Sequence, residues 1–353
     1  MTYQVTVEPT GDVVEVEDGQ TLLDAALRQG VWLPFACGHG TCGTCKVQVL
    51  EGYADAGDAS SFALMDSERD EGKLLACCCL PGSDMVIEAD VDVDPDFQGL
   101  PVEDYQGKVV LIEDLSPTIK HIRLELDRPM AFQAGQYINL HVPSIDSTRA
   151  FSIANPPSMS GIIDLHVRKV EGGAGTTWLH DELQVGQSLD VSGPYGQFFV
   201  RKSDPQGAIF IAGGSGLSSP ESMIMDLLEE GDTRPIYLFQ GARNKAELYH
   251  ADHFYQLAEK HDNFHYIPAL NAPLPDDAWE GFVGFVHEAV GQFFEQRCSG
   301  NKAYLCGPPP MIEAAISTLM QSRLFERDIH MEQFLTAADG ATGKVRSALF
   351  KRI

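Results

Sequence analysis

Apolar and polar positions alternate from the first residues. Residues 3–7 and 13–16 read as two strands around a turn carrying Pro9 and Gly11. Thr21 starts a helical pattern through Ala25, Ala26 and Leu27, which Gly30 closes. Strand patterns return at 46–49, 74–77 and 85–88, so residues 1–93 form a compact β-rich module. Residues 94–103 lack periodicity, carry Pro and Gly, and read as a linker. Residues 104–204 hold short strands at 107–112, 119–126, 136–142 and 162–170 with frequent turns, the pattern of an antiparallel barrel. From 205 to 337 strands and helices alternate. A buried strand at 208–212 precedes a helix with Pro220 inside its start and Met223, Ile224, Leu227 and Leu228 on one face. Further strands follow at 235–239, 265–269, 302–306 and 329–334. That order predicts a doubly wound parallel sheet with ligand at the carboxyl ends of its strands.

Composition narrows the class. The chain has 353 residues, enough for two or three domains. No stretch approaches ~18 consecutive apolar residues, and the start is not a signal peptide, so a cytoplasmic protein is expected. The formal charge of −26 argues against nucleic acid and anionic membranes. Residues 1–93 carry 17 Asp and Glu against 4 Lys and Arg. An acidic face of that kind is either solvated surface or a docking face for a basic protein partner. The tail, 338–353, reverses the sign with Lys344, Arg346, Lys351 and Arg352.

The cysteines carry the first chemistry. Cys37, Cys42 and Cys45 stand at C-x4-C-x2-C, the plant-type [2Fe–2S] spacing. Gly38, Gly40 and Gly43 let the loop turn sharply and approach sulfur closely. A zinc site would use a second C-x2-C pair or two histidines, and none stands at the required spacing. A disulfide framework suits a short secreted chain. His39 is a ligand on chemistry alone, but Rieske-type sites need two histidines at other spacing. The fourth ligand lies among Cys77, Cys78 and Cys79. In a strand Cys77 and Cys79 would face one way and Cys78 the other.

The next two segments carry nucleotide signatures. Arg149 offers a planar fork for phosphate, Phe151 a ring to stack on a flat cofactor, and Ser152 a hydrogen bond to a ring nitrogen or carbonyl. His166 and Arg168 precede a glycine-rich turn, Gly172 to Gly175, and Thr176, where a helix N-terminus suits a pyrophosphate. Gly213, Gly214 and Gly216 follow the first parallel strand. Cys306, Gly307, Pro308 and Met311 follow a later one, and Glu332 and Phe334 lie in the last. Arg243 and Lys245 near the end of the second strand could meet a 2′-phosphate, but Glu247 opposes it.

In this order the segments resemble the ferredoxin-NADP reductase superfamily with an N-terminal plant-type ferredoxin domain. The resemblance implies a β-grasp ferredoxin-like domain, an antiparallel β-barrel FAD domain and an α/β NAD domain. The pattern Leu-x-Cys then selects Cys77 beside Cys37, Cys42 and Cys45. The R-x-[YF]-S motif maps onto Arg149, Phe151 and Ser152, and Thr176 onto the pyrophosphate turn. C-G-P-x-x-M places Cys306 by the nicotinamide, Glu332 lies there too, and Phe334 stacks on the flavin. The tract at 243–249 resembles NADH-using relatives. A hydride carries two electrons and the cluster takes one, while a flavin accepts two and releases them singly. The implied order is NADH, FAD, [2Fe–2S], then an external acceptor. Residues 1–11 and 34–42 are similar to the reductase components of phenol hydroxylases, which implies a di-iron oxygenase component as partner. The alternatives are a reductase of a Rieske-type ring-hydroxylating dioxygenase, or an iron–sulfur carrier without hydride chemistry.

Overall fold

The computed structural model describes residues 1–91 and 94–334. The basic tail expected at 338–353 lies outside the described residues. The chain divides into two compact units, Met1–Glu103 and the remainder from Asp104.

The first unit contains β1 (Thr2–Glu8), β2 (Asp12–Glu17), α1 (Leu22–Arg28), β3 (Lys46–Glu51), β4 (Ala54–Asp55), α2 (Asp66–Asp70), β5 (Lys73–Leu75), β6 (Leu80–Pro81) and β7 (Met85–Glu88). Its main sheet runs β2-β1-β7-β3-β5, with β1 and β7 parallel and the other pairs antiparallel. The Thr21 hydroxyl accepts from the Asp24 N–H and starts α1, whose Leu22, Leu23, Ala25, Ala26 and Leu27 are buried. The stretch 94–103 packs back on this unit. The Val102 N–H donates to the Leu27 carbonyl at 3.0 Å, and the Phe97 ring meets Trp32 edge-on at 5.9 Å. Gly30, at φ +74°, faces the Gly99 carbonyl so closely that a Cβ would lie 2.3 Å from it.

The second unit opens with a six-stranded antiparallel sheet of β8 (Glu103–Ser116), β9 (Ile119–Leu126), β10 (Tyr137–Val142), β11 (Ser147–Ser152), β12 (Ile162–Arg168) and β13 (Ser188–Tyr195), with α3 (Ala174–Asp181) between the last two. The order is β11-β10-β13-β8-β9-β12. The sheet curls until Ile153, just past β11, bridges Leu165 of β12. Alternate apolar residues point inward, and Ile122, Leu124, Ile138, Leu140, Ile163 and Leu165 are fully buried there.

A parallel sheet follows, built from β14 (Gly207–Gly213), α4 (Ser218–Glu229), β15 (Ile236–Ala242), α5 (Ala251–Lys260), β16 (Phe264–Leu270), β17 (Phe282–Val283), α6 (Val286–Phe293), β18 (Asn301–Gly307), α7 (Pro309–Gln321) and β19 (Ile329–Gln333). Its order is β17-β16-β15-β14-β18-β19, every pair parallel. Every residue of β14 is buried, as a central strand covered on both faces requires. Chain order reverses on either side of β14, which puts the ligand crevice beyond Gly213, between the ends of β15 and β18.

Candidate functional site

In the first unit the cysteine loop is held open toward its sulfurs. Gly38, Gly40 and Gly43 adopt φ of +71°, +79° and +75°. These are left-handed values that the sequence pattern anticipates. A Cβ on Gly40 would lie 2.6 Å from Cys78 Sγ, and one on Gly43 would lie 2.9 Å from the Ala63 carbonyl. The backbone N–H groups of His39 and Thr41 reach Cys37 Sγ at 3.5 and 3.4 Å. Burial works to raise the Cys37 thiol, but hydrogen bonds from Thr41, His39 and Cys42 outweigh it and bring the pKa down to about 6. Cys45 Sγ and Cys77 Sγ stand 3.2 Å apart. The Cys77 contact lowers Cys45 to about 7, and the same contact drives Cys77 upward. Backbone donors aimed at Cys37, the Cys45–Cys77 contact and glycines leaving room fit a thiolate-bound cluster.

The late cysteines do not alternate as a strand would. Residues 76–78 form a turn, in which the N–H groups of Cys78 and Cys79 both bond the Leu75 carbonyl at 2.9 Å. Cys78 Sγ therefore lies 3.6 Å from Cys77 Sγ and faces Gly40. Cys79 is fully buried, and burial pushes its thiol up to about 12.

In the second unit four elements converge at the crevice. β18 and β19 are in register with Cys306 beside Glu332. The hydroxyls of Ser152, at the end of β11, and Ser219, in the first turn of α4, both donate to Glu332 Oε2, at 3.0 and 3.1 Å. Cys306 Sγ lies 3.8 Å from the same oxygen. Burial is the largest influence on this carboxyl and holds its pKa above the usual range, although the hydroxyls oppose it. Burial and Glu332 push the Cys306 thiol well up.

Around this point the glycines have defined neighbours. A Cβ on Gly216 would fall 2.4 Å from the Cys306 carbonyl, and one on Gly213 would fall 2.6 Å from Met311 Sδ. Gly307, at φ +150°, also faces Met311, so the methionine of the C-G-P-x-x-M pattern fills the space that two glycines leave. Arg168 Nη1 lies 3.3 Å from where a Gly214 Cβ would be. Pro308 caps α7.

Arg149 and Gly175 are neighbours: a Cβ on Gly175 would sit 3.6 Å from Arg149 Cγ, at the N-terminus of α3. A guanidinium beside free helix amides suits a pyrophosphate. The Thr176 hydroxyl serves the turn itself, donating to the Gly173 carbonyl and accepting from the Val170 N–H. Phe151 is half-buried against the barrel core, and Phe334 packs on the core beneath the parallel sheet. Arg243 follows β15, where its carbonyl accepts from the Ala272 N–H. Lys245 is committed to Asp277 through both its N–H and its ammonium.

Sequence reasoning placed His166 among cofactor contacts; in the structure its imidazole is enclosed. The Tyr249 hydroxyl donates to the Gly214 carbonyl at 3.1 Å and stands 3.2 Å from His166 Nδ1. Since that hydroxyl has one proton, His166 Nδ1–H donates to the Tyr249 oxygen. Burial lowers the His166 pKa to about 4 and keeps the ring neutral. Glu221 and His250 complete the group, with His250 Nδ1 at 3.0 Å from Glu221 Oε2. Tyr249 stood in the tract likened to NADH-using relatives, whereas Glu221 and the role of Ser219 went unread because no local spacing marks them. Tyr137 and Tyr195 were missed as well. They stack at 5.5 Å, and Tyr137 pairs opposite Ser152 in the barrel. The Gly193-Pro194-Tyr195-Gly196 stretch at the end of β13 was the available signal.

These sites define an iron–sulfur flavoprotein reductase of three cofactor domains. The family models agree in order: "2Fe-2S iron-sulfur cluster binding domain" matches residues 5–82, "Oxidoreductase FAD-binding domain" 106–200, and "Oxidoreductase NAD-binding domain" 210–316. The phenol hydroxylase P5 protein of Acinetobacter pittii (strain PHEA-2) is 72% identical over 353 residues, all of both chains. The phenol 2-monooxygenase reductase component DmpP of Pseudomonas sp. (strain CF600) is 68% identical over the same span. The crystal structure of the Amycolatopsis cytochrome P450 reductase GcoB superposes with a TM-score of 0.83 at 36% identity, covering 94% of this chain and 99% of that one. The chain belongs to the family of these [2Fe–2S], FAD and NAD reductase components. Among the described residues no helix is long and apolar enough to cross a membrane.

Proposed function

We propose that this chain is the reductase component of a multicomponent phenol monooxygenase. It takes a hydride from NADH onto FAD and passes electrons singly through the [2Fe–2S] cluster to a cytoplasmic di-iron oxygenase component. The observation that carries this reading is the convergence of Ser152, Ser219, Cys306 and Glu332 where the curled sheet meets the switch point of the parallel one. A nicotinamide bound beyond β14 would be held by that group.

Cys37, Cys42, Cys45 and Cys77 would hold the cluster as thiolates, with the Cys45 and Cys77 sulfurs already brought together at 3.2 Å. Arg149, Gly175 and the amides of α3 bind the flavin pyrophosphate, and Arg168 faces the glycine loop. Ser152 and the Tyr137–Tyr195 pair would bound the flavin ring, while Cys306 and Glu332 would orient the nicotinamide. When bound, FAD supplies the step from two electrons to one. Glu332, whose pKa burial raises against the pull of the two serine hydroxyls, would stand beside the transfer site. The Lys245 ammonium is turned onto the Asp277 carbonyl, and Glu247 beside it opposes a 2′-phosphate, which favours NADH.

The test is anaerobic mixing with NADH, then turnover with purified oxygenase components. The expected result is bleaching of flavin and cluster absorbance, and NADH-driven phenol hydroxylation with a di-iron component. Turnover only with a Rieske-type oxygenase would refute the assignment of partner.

A further inference from the structure

We propose that Phe62 is the apolar anchor by which the cluster-bearing unit seats on the oxygenase component, inside an acidic rim. This rests on the reading of the chain as an oxygenase reductase. Phe62 is 96% exposed, which for a large aromatic on a folded turn is a solvation cost with no internal return. The turn is well ordered. The N–H groups of Ala63 and Leu64 both bond the Ser60 carbonyl, at 3.0 and 2.9 Å, and the Phe62 N–H reaches Ser60 Oγ at 3.3 Å. Ala63 and Leu64 are buried and root the turn in the core. The ring is thus held outward by a fixed backbone, so less ordering entropy is lost when a partner covers it.

The same turn is tied to the cysteine loop. The Ser60 N–H donates to the Gly40 carbonyl at 3.0 Å, and the Ala63 carbonyl backs Gly43. On that loop His39, Thr41 and Cys42 are exposed, so the cluster's open side and Phe62 belong to one surface. Met65, 55% exposed, extends it. Residues 51–71 hold seven acidic side chains against one basic; Glu68 and Glu71 pair with Lys46 and Lys73, and Glu51, Asp55, Asp58, Asp66 and Asp70 are left exposed to form the rim. The partner surface this fits is an apolar pocket edged by Lys and Arg, next to the site that receives the electron.

The experiment uses the full holoprotein with purified oxygenase component of a phenol monooxygenase. Phe62→Ala should raise the oxygenase concentration for half-maximal coupled turnover by on the order of tenfold or more, as loss of an interface anchor does. Phe62→Tyr should keep most of the coupling. NADH-to-ferricyanide activity and the cluster spectrum should match wild type in both. Phe325→Ala, which removes another exposed aromatic, should leave coupling unchanged. At raised salt, coupling should weaken in wild type while the Phe62→Ala defect persists, since an apolar contact is not screened. Wild-type coupling in Phe62→Ala would overturn the docking surface and leave the reductase assignment standing. An altered cluster spectrum in Phe62→Ala would overturn it too, by making the residue structural. Ferricyanide reduction without coupling to any oxygenase, in wild type, would overturn both.

Discussion

Asp164→Asn should destabilise the flavin-binding sheet, by an amount that the geometry sets. Asp164 lies on β12 with a side chain 10% exposed. Its Oδ1 accepts from Arg123 Nε at 2.7 Å and its Oδ2 from Arg123 Nη2 at 2.9 Å. His121 Nε2 stands 2.8 Å from Oδ1. Burial alone would raise this carboxyl, but His121 and Arg123 overcome it and bring the pKa from 3.8 to about 2. That difference is worth about 2–3 kcal/mol at 1.36 kcal/mol per pKa unit. Removing the charge also leaves His121 and part of Arg123 buried without their partner, so the loss can reach ~3–5 kcal/mol. The sign is fixed by linkage. A carboxylate with a lowered folded pKa stabilises above its ordinary value of 3.8, and the contribution is lost as pH falls through about 2. His121 is raised by Asp164 and Glu113 against its burial. Its share is present below its ordinary 6.5 and fades as pH climbs through the folded value. Urea unfolding followed by flavin release, at fixed excess FAD, gives the comparison. Wild type should exceed Asp164→Asn by at least ~2 kcal/mol at pH 5, and the gap should shrink toward pH 2. A gap under ~0.5 kcal/mol at pH 5, or one that does not change with pH, would refute the reasoning.

Cys42→Ser should lose the cluster absorbance yet keep NADH-to-ferricyanide activity, since the flavin route does not need the cluster; full cytochrome c reduction by the variant would contradict this. Arg149→Ala should lower flavin content after gel filtration, and unchanged content would remove Arg149 from the pyrophosphate site. Gly216→Ala forces a Cβ against the Cys306 carbonyl at 2.4 Å. Overpacking of ~1–3 kcal/mol should raise KM for NADH by about 5- to 150-fold, with flavin and cluster retained. Ser219→Ala removes one of two donors to Glu332. The pH profile of flavin reduction should move alkaline as the carboxyl loses a bond that favours its charged form, and an unmoved profile would mean that Ser219 only packs.

Much of the architecture was legible because each segment repeats one local rule. The alternation at 3–7 and 13–16, the buried run at 208–212 and the glycines after it all became the elements their patterns imply. The cluster loop was legible because three ligands and their glycines are close in sequence. The stretch at 94–103 was harder. Its lack of period says only that it is not regular structure. Its packing on Leu27 and Trp32 depends on contacts some 70 residues apart.

The group around Glu332 was least legible, for a physical reason. Glu332 Oε2 collects Ser152 from 180 positions away and Ser219 from 113. Ser152 could be flagged from its motif, whereas Ser219 is one hydroxyl in a helix start where serine is ordinary as a cap. Only the register of β18 against β19, and the crossing of α4 over them, turn it toward the carboxylate. The same holds for Cys78. Three consecutive cysteines imply alternation only if the backbone stays extended, and the turn at 76–78 brings Cys78 to the cluster side instead. A motif names a residue when its partners are local. When the partner is brought by the fold, hydrogen-bond geometry has to name it, and here that adds Ser219 to a group whose motifs gave only Ser152, Cys306 and Glu332.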